Sequence, residues 1–227
     1  KKKGVPVVVI LNKSECLTDT NRRAALKKEF PDKEYRNTPM RQEVERCRMA
    51  YEEAAAGKKV AMVCSGDAGI YGMAGLMYEI GEEYPEVAIE VIPGVTAALG
   101  GSAVLGVAVG HDVSLISLSD LLTPWELIEE RLRCAAKADF VICLYNPSSR
   151  KRSTYLAKAC EIMLEYKAED TVCGIVKNIA REGETMQTLT LKELKETTVD
   201  MFSTVFIGNK QTKVIREKMV TPRGYRI

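Results

Sequence analysis

The stretch "CSGDAGIYGMAG", Cys64 to Gly75, sets four glycines and one carboxylate, Asp67, directly after an apolar run. Backbone that bare lets N–H and C=O groups approach a ligand that a Cβ would hold off. Asp67 can accept hydrogen bonds or balance a positive charge. The stretch lacks the Gly-Lys-Ser/Thr ending of a P-loop, and its glycines do not match G-x-G-x-x-G, so nucleotide phosphate binding is disfavoured. Two further loops follow apolar runs: "PGVTA", in which Thr96 can cap a helix, and "YNPSSR", which begins at Tyr145. His111, the single histidine, stands beside Asp112, and Asp120 stands in "SLSDLLTP". Each feature alone also has an ordinary structural reading. The glycines make a tight turn with close helix packing, Thr96 caps, His111 is a hydrogen-bonded structural residue, and Asp120 caps a turn with Ser117 and Ser119 as neighbours.

The elements that must position these loops are legible from periodicity. Apolar runs rich in β-branched residues predict strands at "VPVVVIL", "KVAMVC", "VAIEVI", "VSLIS", "FVICLY", "TVCGIV" and "TVFIG". Between them, "RQEVERCRMAYEEAAAG", "YGMAGLMYEIGEEY", "TPWELIEERLRCAAKA" and "RSTYLAKACEIMLEY" carry helical spacing. The alternation is that of an α/β protein. In the third helix Thr123 is the expected N-cap, with Pro124 at the first helical position and Glu126 completing a capping box. Side chains thin out at "LGGSAVLGVAVGHD", which places a boundary between a domain of residues 1–112 and one of residues 113–227. The carboxyl ends of the strands are where open α/β sheets bind ligands, and a crevice between two domains is the expected site.

Composition bounds the partners. With 227 residues, 46% hydrophobic and 28% charged, the chain can bury a sizeable core. A net charge of +2 is too weak to argue for nucleic acid, although "RKR" at 150–152 can meet anionic groups on a small ligand. No apolar run approaches the ~20 residues of a membrane span, and "VPVVVIL" is too short for the core of a signal peptide. Seven cysteines without C-x-x-C spacing suit a reducing compartment, so the expected location is cytoplasmic, with no membrane and no protein-bound metal.

Taken together, "SGDAGIYGMAG", "VIPGVTAALGG", "GHDVSLISLSDLLTPW", "LYNPSSRKR", "GIVKNIAREGETMQTLTLKEL" and "MFSTVFIGN" resemble the precorrin-3B C17-methyltransferases of the tetrapyrrole methylase superfamily, the cobalt-factor III form included. The resemblance runs from about Tyr35 to Asn209, and "GHD", "SLSDLLTPW" and "LYNP" are its branch-specific part. It implies a two-domain tetrapyrrole methylase-like α/β fold with a cofactor cleft between the domains, and a homodimer. It also implies S-adenosylmethionine as methyl donor and a corrin-precursor tetrapyrrole as substrate. Carried over position by position, the cofactor contacts are Gly66, Asp67, Ile70 and Tyr71, then Thr96 and Ala97, then Tyr145 and Asn146, with Lys177 and Asn178 from the C-terminal half. His111 and Asp120 are the acid/base candidates for the proton movements of ring contraction, and Arg41 and Arg150 those for the substrate's carboxylates. Relatives open on a Gly-x-Gly-Pro-Gly loop and then a second strand. Here no glycine falls between Gly4 and Gly57, and the interval reads as too short for that strand. Another acceptor within the superfamily, or a non-catalytic cofactor-binding scaffold of corrinoid synthesis, are the alternative readings.

Overall fold

A computed structural model describes residues 7–11, 27–39, 41–149 and 152–226. Within it the chain divides into two compact units, Lys1–Thr96 and Ala97–Ile227.

The first unit holds a parallel sheet of order β2-β1-β3, made of Val7–Leu11 (β1), Glu34–Arg36 (β2) and Lys59–Val63 (β3). The second strand before the helix is therefore present, contrary to the sequence expectation; it is three residues long and too charged to show in an apolar pattern. Val8 and Ile10 are fully buried and meet Ala50 of the helix Glu43–Ala55, so the apolar alternation of β1 and the helical stripe close on each other. Arg46 of that helix is also fully buried; its guanidinium donates to the carbonyls of Thr38 and Pro39 at 3.1 and 3.0 Å. Among the described residues the expected strand "VAIEVI" belongs to no sheet. Val87 and Ile89 pack inward on the cluster of Tyr51, Met73 and Ile80, which produces the alternating pattern, but no neighbouring strand pairs with them. Side-chain alternation reports burial, whereas a strand also needs a ladder partner.

The second unit is built on a five-stranded mixed sheet of order β5-β6-β9-β7-β8. Its strands are Val113–Ser117 (β5), Val141–Tyr145 (β6), Val172–Lys177 (β7), Thr185–Thr190 (β8) and Ser203–Ile207 (β9). β5 and β6 run parallel, while β9 pairs antiparallel with both β6 and β7. On one face Ile142, Leu144, Val205 and Ile207 meet the helices Trp125–Lys137, Tyr155–Leu164 and Leu191–Lys195. On the other, Cys143, Val176 and Phe206 meet the helix Ala97–Leu105. That helix explains the unit boundary. Its small residues are a packing surface: a Cβ on Gly101 would lie 2.7 Å from the Phe206 ring. The following Gly106–Val107 (β4) pairs with Lys218–Val220 (β11) in a second sheet, whose third strand is Lys213–Ile215 (β10). The break thus falls at Thr96/Ala97 and not after residue 112.

Two further expectations change. The helix after "LLTP" begins at Trp125 with Pro124 as N-cap and no side-chain cap, so Thr123 and Glu126 form no capping box. A complete one stands instead at Thr190 and Glu193: the Glu193 N–H donates to Thr190 Oγ1 and the Thr190 N–H to Glu193 Oε2.

Lys167 ties the start of β6 to the end of β9. Its side chain is 2% exposed, and its ammonium donates to Asp139 Oδ1, the Phe140 carbonyl and the Gly208 carbonyl at 3.2, 3.0 and 3.0 Å. All three donors are used, so the charge is paired and hydrogen-bonded, as burial requires. Lys167→Met takes this donor from the buried Gly208 carbonyl and the charge partner from Asp139; urea denaturation is expected to show a loss of about 3 kcal/mol.

Candidate functional site

The sequence candidates fall in both units, and each set has its own geometry. In the first unit β3 ends at Val63, and the chain turns through Gly66–Tyr71. Asp67 organises that turn. Its Oδ1 accepts from the Gly69 and Ile70 N–H groups at 2.8 and 3.0 Å, and its Oδ2 accepts from the Gly94 N–H at 2.9 Å. One carboxylate therefore ties "GDAG" to "PGVTA". The same approach explains Gly94, where a Cβ would stand 2.1 Å from the Gly66 carbonyl oxygen. The Gly94, Gly69 and Ile70 donors hold the Asp67 carboxyl below its ordinary value, so it stays ionised. Tyr71 sits at φ 53° and is 49% exposed, and Ile70 is also exposed. A tyrosine in the left-handed region is strained, and such residues cluster where ligands bind. Thr96, buried, closes the unit, and Arg41, exposed, adopts φ 67° before the helix Glu43–Ala55.

In the second unit the parallel strands β5 and β6 end side by side, with Ser117 opposite Tyr145. Ala97 opens the helix Ala97–Leu105, and the Tyr145 hydroxyl accepts from the Ala98 N–H at 2.8 Å, satisfying one of the free donors of that helix start. Asn146 follows at φ 52° and donates from Nδ2 to Ser117 Oγ at 2.9 Å. Asn178, after β7, is likewise at φ 54° and donates to the Gly183 carbonyl at 3.3 Å. Lys177 pairs with Asp200 at 2.7 Å beside a groove of about 420 Å³ that Thr185, Gln187 and Ser203 also line. Burial would raise the Asp200 carboxyl, but the Lys177 ammonium, the Phe202 N–H and the Ser203 hydroxyl outweigh it and hold it low.

The two acid/base candidates are not brought together. His111 lies before the first residue of β5 and Asp120 beyond its last, and five residues of strand span about 13 Å. His111 Nδ1 accepts from the Asp112 N–H at 2.8 Å and lies 3.4 Å from Asp112 Oδ2. Asp120 does not cap its turn: Ser119 N–H bonds to Ser117 Oγ, while Asp120 Oδ2 accepts from the Tyr155 hydroxyl at 2.7 Å and Oδ1 lies 3.5 Å from Arg152 Nη1. Tyr155 had no signal in the sequence, because the contact crosses 35 positions and the residue reads as part of a helix stripe. Arg150 lies outside the described residues; Arg152 of the same basic run is the one engaged here. Among the described residues no group of His, Cys, Asp and Glu stands in position to hold a metal ion, and no helix is long and apolar enough to cross a membrane.

Residues 4–195 match the family model of the tetrapyrrole (corrin/porphyrin) methylases. The chain belongs to that family. It is 47% identical over 195 residues to the probable cobalt-factor III C(17)-methyltransferase of Salmonella typhimurium, covering 86% of this chain and 81% of that protein. Identity to the precorrin-3B C(17)-methyltransferase of a Sinorhizobium species is 38% over 194 residues, covering 82% and 76%. The crystal structure of the methyltransferase CobJ superposes with a TM-score of 0.79 at 30% identity, over 96% of this chain and all of that one. The α/β architecture is thus that of the tetrapyrrole methylases, and the chain is a methylase-family enzyme.

Two expectations follow from the geometry. Tyr145→Phe removes the acceptor of the buried Ala98 N–H and should lower stability by about 1–2 kcal/mol in urea. Because the Asp67 carboxyl is held low, its contribution to stability is complete above the ordinary value of 3.8 and is lost as pH falls through the lowered one. The difference in thermal midpoint between the natural protein and Asp67→Asn should therefore shrink as the pH is taken below that value.

Proposed function

We propose that this methylase transfers a methyl group from S-adenosylmethionine to C17 of cobalt-factor III, coupled to contraction of the macrocycle. The observation that carries the reading is the 47% identity to a relative named for that reaction, extending over 86% of the chain. The lower identity, 38%, to a relative named for precorrin-3B favours the cobalt-containing substrate. Cobalt enters as part of that substrate and not as a resident ion.

The residues present fit the methyl donor. Its sulfonium supplies a methyl group already activated for attack by carbon. An ionised Asp67, held low by three backbone donors, suits a neighbour carrying ammonium and sulfonium charge, and its remaining lone-pair sites can accept from the ligand. Gly66, Gly69 and Gly94 leave backbone within reach of the ligand, and the strained Tyr71 presents an exposed ring. The side chains at Tyr145 and Asn146 are already committed to Ala98 and Ser117, so these residues act by shaping the backbone at the ends of β5 and β6. Alignment is the protein's main task in such a transfer, and effective molarity of that kind is worth ~7–11 kcal/mol. Asp120, at the carboxyl end of β5, is the acid/base candidate for the contraction; His111 is at the other end. Thr96, Ala97, Lys177 and Asn178 remain cofactor contacts in this reading, with Arg41 and Arg150 for substrate carboxylates. A cytoplasmic homodimer belongs to the same reading, which the odd number of cysteines, seven, supports for the compartment.

The test is transfer of isotope-labelled methyl from the cofactor. The purified chain with labelled S-adenosylmethionine and cobalt-factor III should yield a labelled tetrapyrrole, with S-adenosylhomocysteine formed only when the tetrapyrrole is present. Cofactor binding without transfer is the result that would establish the alternative, a non-catalytic scaffold. Asp67→Ala should weaken cofactor affinity about tenfold by calorimetry. Unchanged affinity would remove Asp67 from the site.

A further inference from the structure

Asp120 is held from two sides by residues that no motif reading connects to it. From one side the Tyr155 hydroxyl donates to Oδ2 at 2.7 Å. The Tyr155 ring is itself held on Trp125, with centroids 4.3 Å apart, and Trp125 Nε1 donates to Glu129 at 2.7 Å. From the other side Arg152 Nη1, buried and making no hydrogen bond, stands 3.5 Å from Oδ1, while Arg152 Nε donates to Ser149 Oγ at 3.1 Å. The Arg152 side chain is 15% exposed and that of Asp120 32%, so the carboxylate is gripped from within and keeps an open side. With about four lone-pair sites, an ionised carboxylate so held retains acceptor capacity toward a ligand. Its hydrogen bond to Asp120, with burial second, raises the pKa of Tyr155, which therefore keeps its proton and remains a donor. The loop that carries Asp120 is tied at its base as well, by the Leu118 N–H on the Tyr145 carbonyl at 2.9 Å.

We infer that Tyr155 and Arg152 are positioning residues that act through Asp120, fixing its carboxylate in one orientation for the tetrapyrrole. The inference rests on the functional reading above. A carboxylate held by one hydrogen bond and a neighbouring guanidinium gives up its side-chain freedom once, on folding, so it need not be ordered again when the substrate binds. Tyr155 and Arg152 need not touch the tetrapyrrole for this; removing either frees Asp120 to rotate toward solvent.

The experiment is a double-mutant cycle read on kcat/KM for cobalt-factor III, with Trp125, the single tryptophan of the chain, as an internal probe of tetrapyrrole binding through fluorescence quenching. Tyr155→Phe and Asp120→Asn should each lower kcat/KM about tenfold, and the double variant should be no worse than Asp120→Asn alone. Calorimetric affinity for S-adenosylmethionine should stay within about twofold, since the cluster acts on the tetrapyrrole step. Arg152→Lys should recover part of the activity that Arg152→Ala loses, and this pair decides the matter if Tyr155→Phe does not fold. A Tyr155→Phe effect of full size in the Asp120→Asn background overturns the inference, as does wild-type kcat/KM in Tyr155→Phe. A natural protein that neither turns over cobalt-factor III nor shows Trp125 quenching fails the functional reading itself and takes the positioning role with it.

Discussion

A strand buried on both faces needs both faces covered, and β6 and β9 impose that requirement on the larger unit. Val141 to Leu144 and the whole of β9 are buried. Three helices seal one face, and on the other the helix Ala97–Leu105, together with Met219 of β11, must come close enough to seal it. It can do so because its inner surface is nearly bare, with Gly100 and Gly101 against Ile179 and Phe206. Close packing of this kind replaces side-chain volume with backbone proximity and leaves no void to lower the dispersion gain. The helix start then needs an acceptor for its free N–H groups, and the Tyr145 hydroxyl at the end of β6 provides one.

From that packing follows the position of the chemistry. β5 and β6 are parallel neighbours, so their carboxyl ends deliver Ser117 and Tyr145 to the same edge, and the loops beyond them are bound together through Asn146, Ser117 and Leu118. Asp120 stands on that edge, within reach of Tyr155 and Arg152. In the smaller unit a single carboxylate plays the corresponding part: Asp67 accepts three backbone donors from two loops. In both units a side chain expected to face a ligand also binds backbone, Asp67 through three N–H groups and Tyr145 through the Ala98 N–H. The pattern suits a methyl transfer, in which alignment matters more than a strong base.

Much of this was legible from pattern alone. Val113–Ser117 matches its apolar run residue for residue, and the helix Trp125–Lys137 and the strand Val141–Tyr145 lie within theirs. These elements carry their own signal because burial imposes the period on the side chains. The failures share a cause. "VAIEVI" has the alternation without a ladder, the charged strand Glu34–Arg36 has a ladder without the alternation, and Pro124 rather than Thr123 occupies the cap. Pairing and capping are relations between segments, and a local pattern reports only one side of them.

The amino-acid sequence by itself determined the family, the α/β class, the three loops and most residues on them, because a bare glycine turn, an Asn-Pro step and a β-branched run constrain their own backbone. Tertiary structure alone decided the rest. The small residues of Ala97–Leu105 read as the approach to a domain boundary until a sheet is packed against them. His111 and Asp120 read as equal acid/base candidates until five residues of strand part them. Tyr155 and Arg152 read as a helix stripe and a basic run until the fold sets them against Asp120. In each case the deciding energy, whether packing, ladder or ion pair, comes from a segment distant in the chain, and no window of sequence contains both partners.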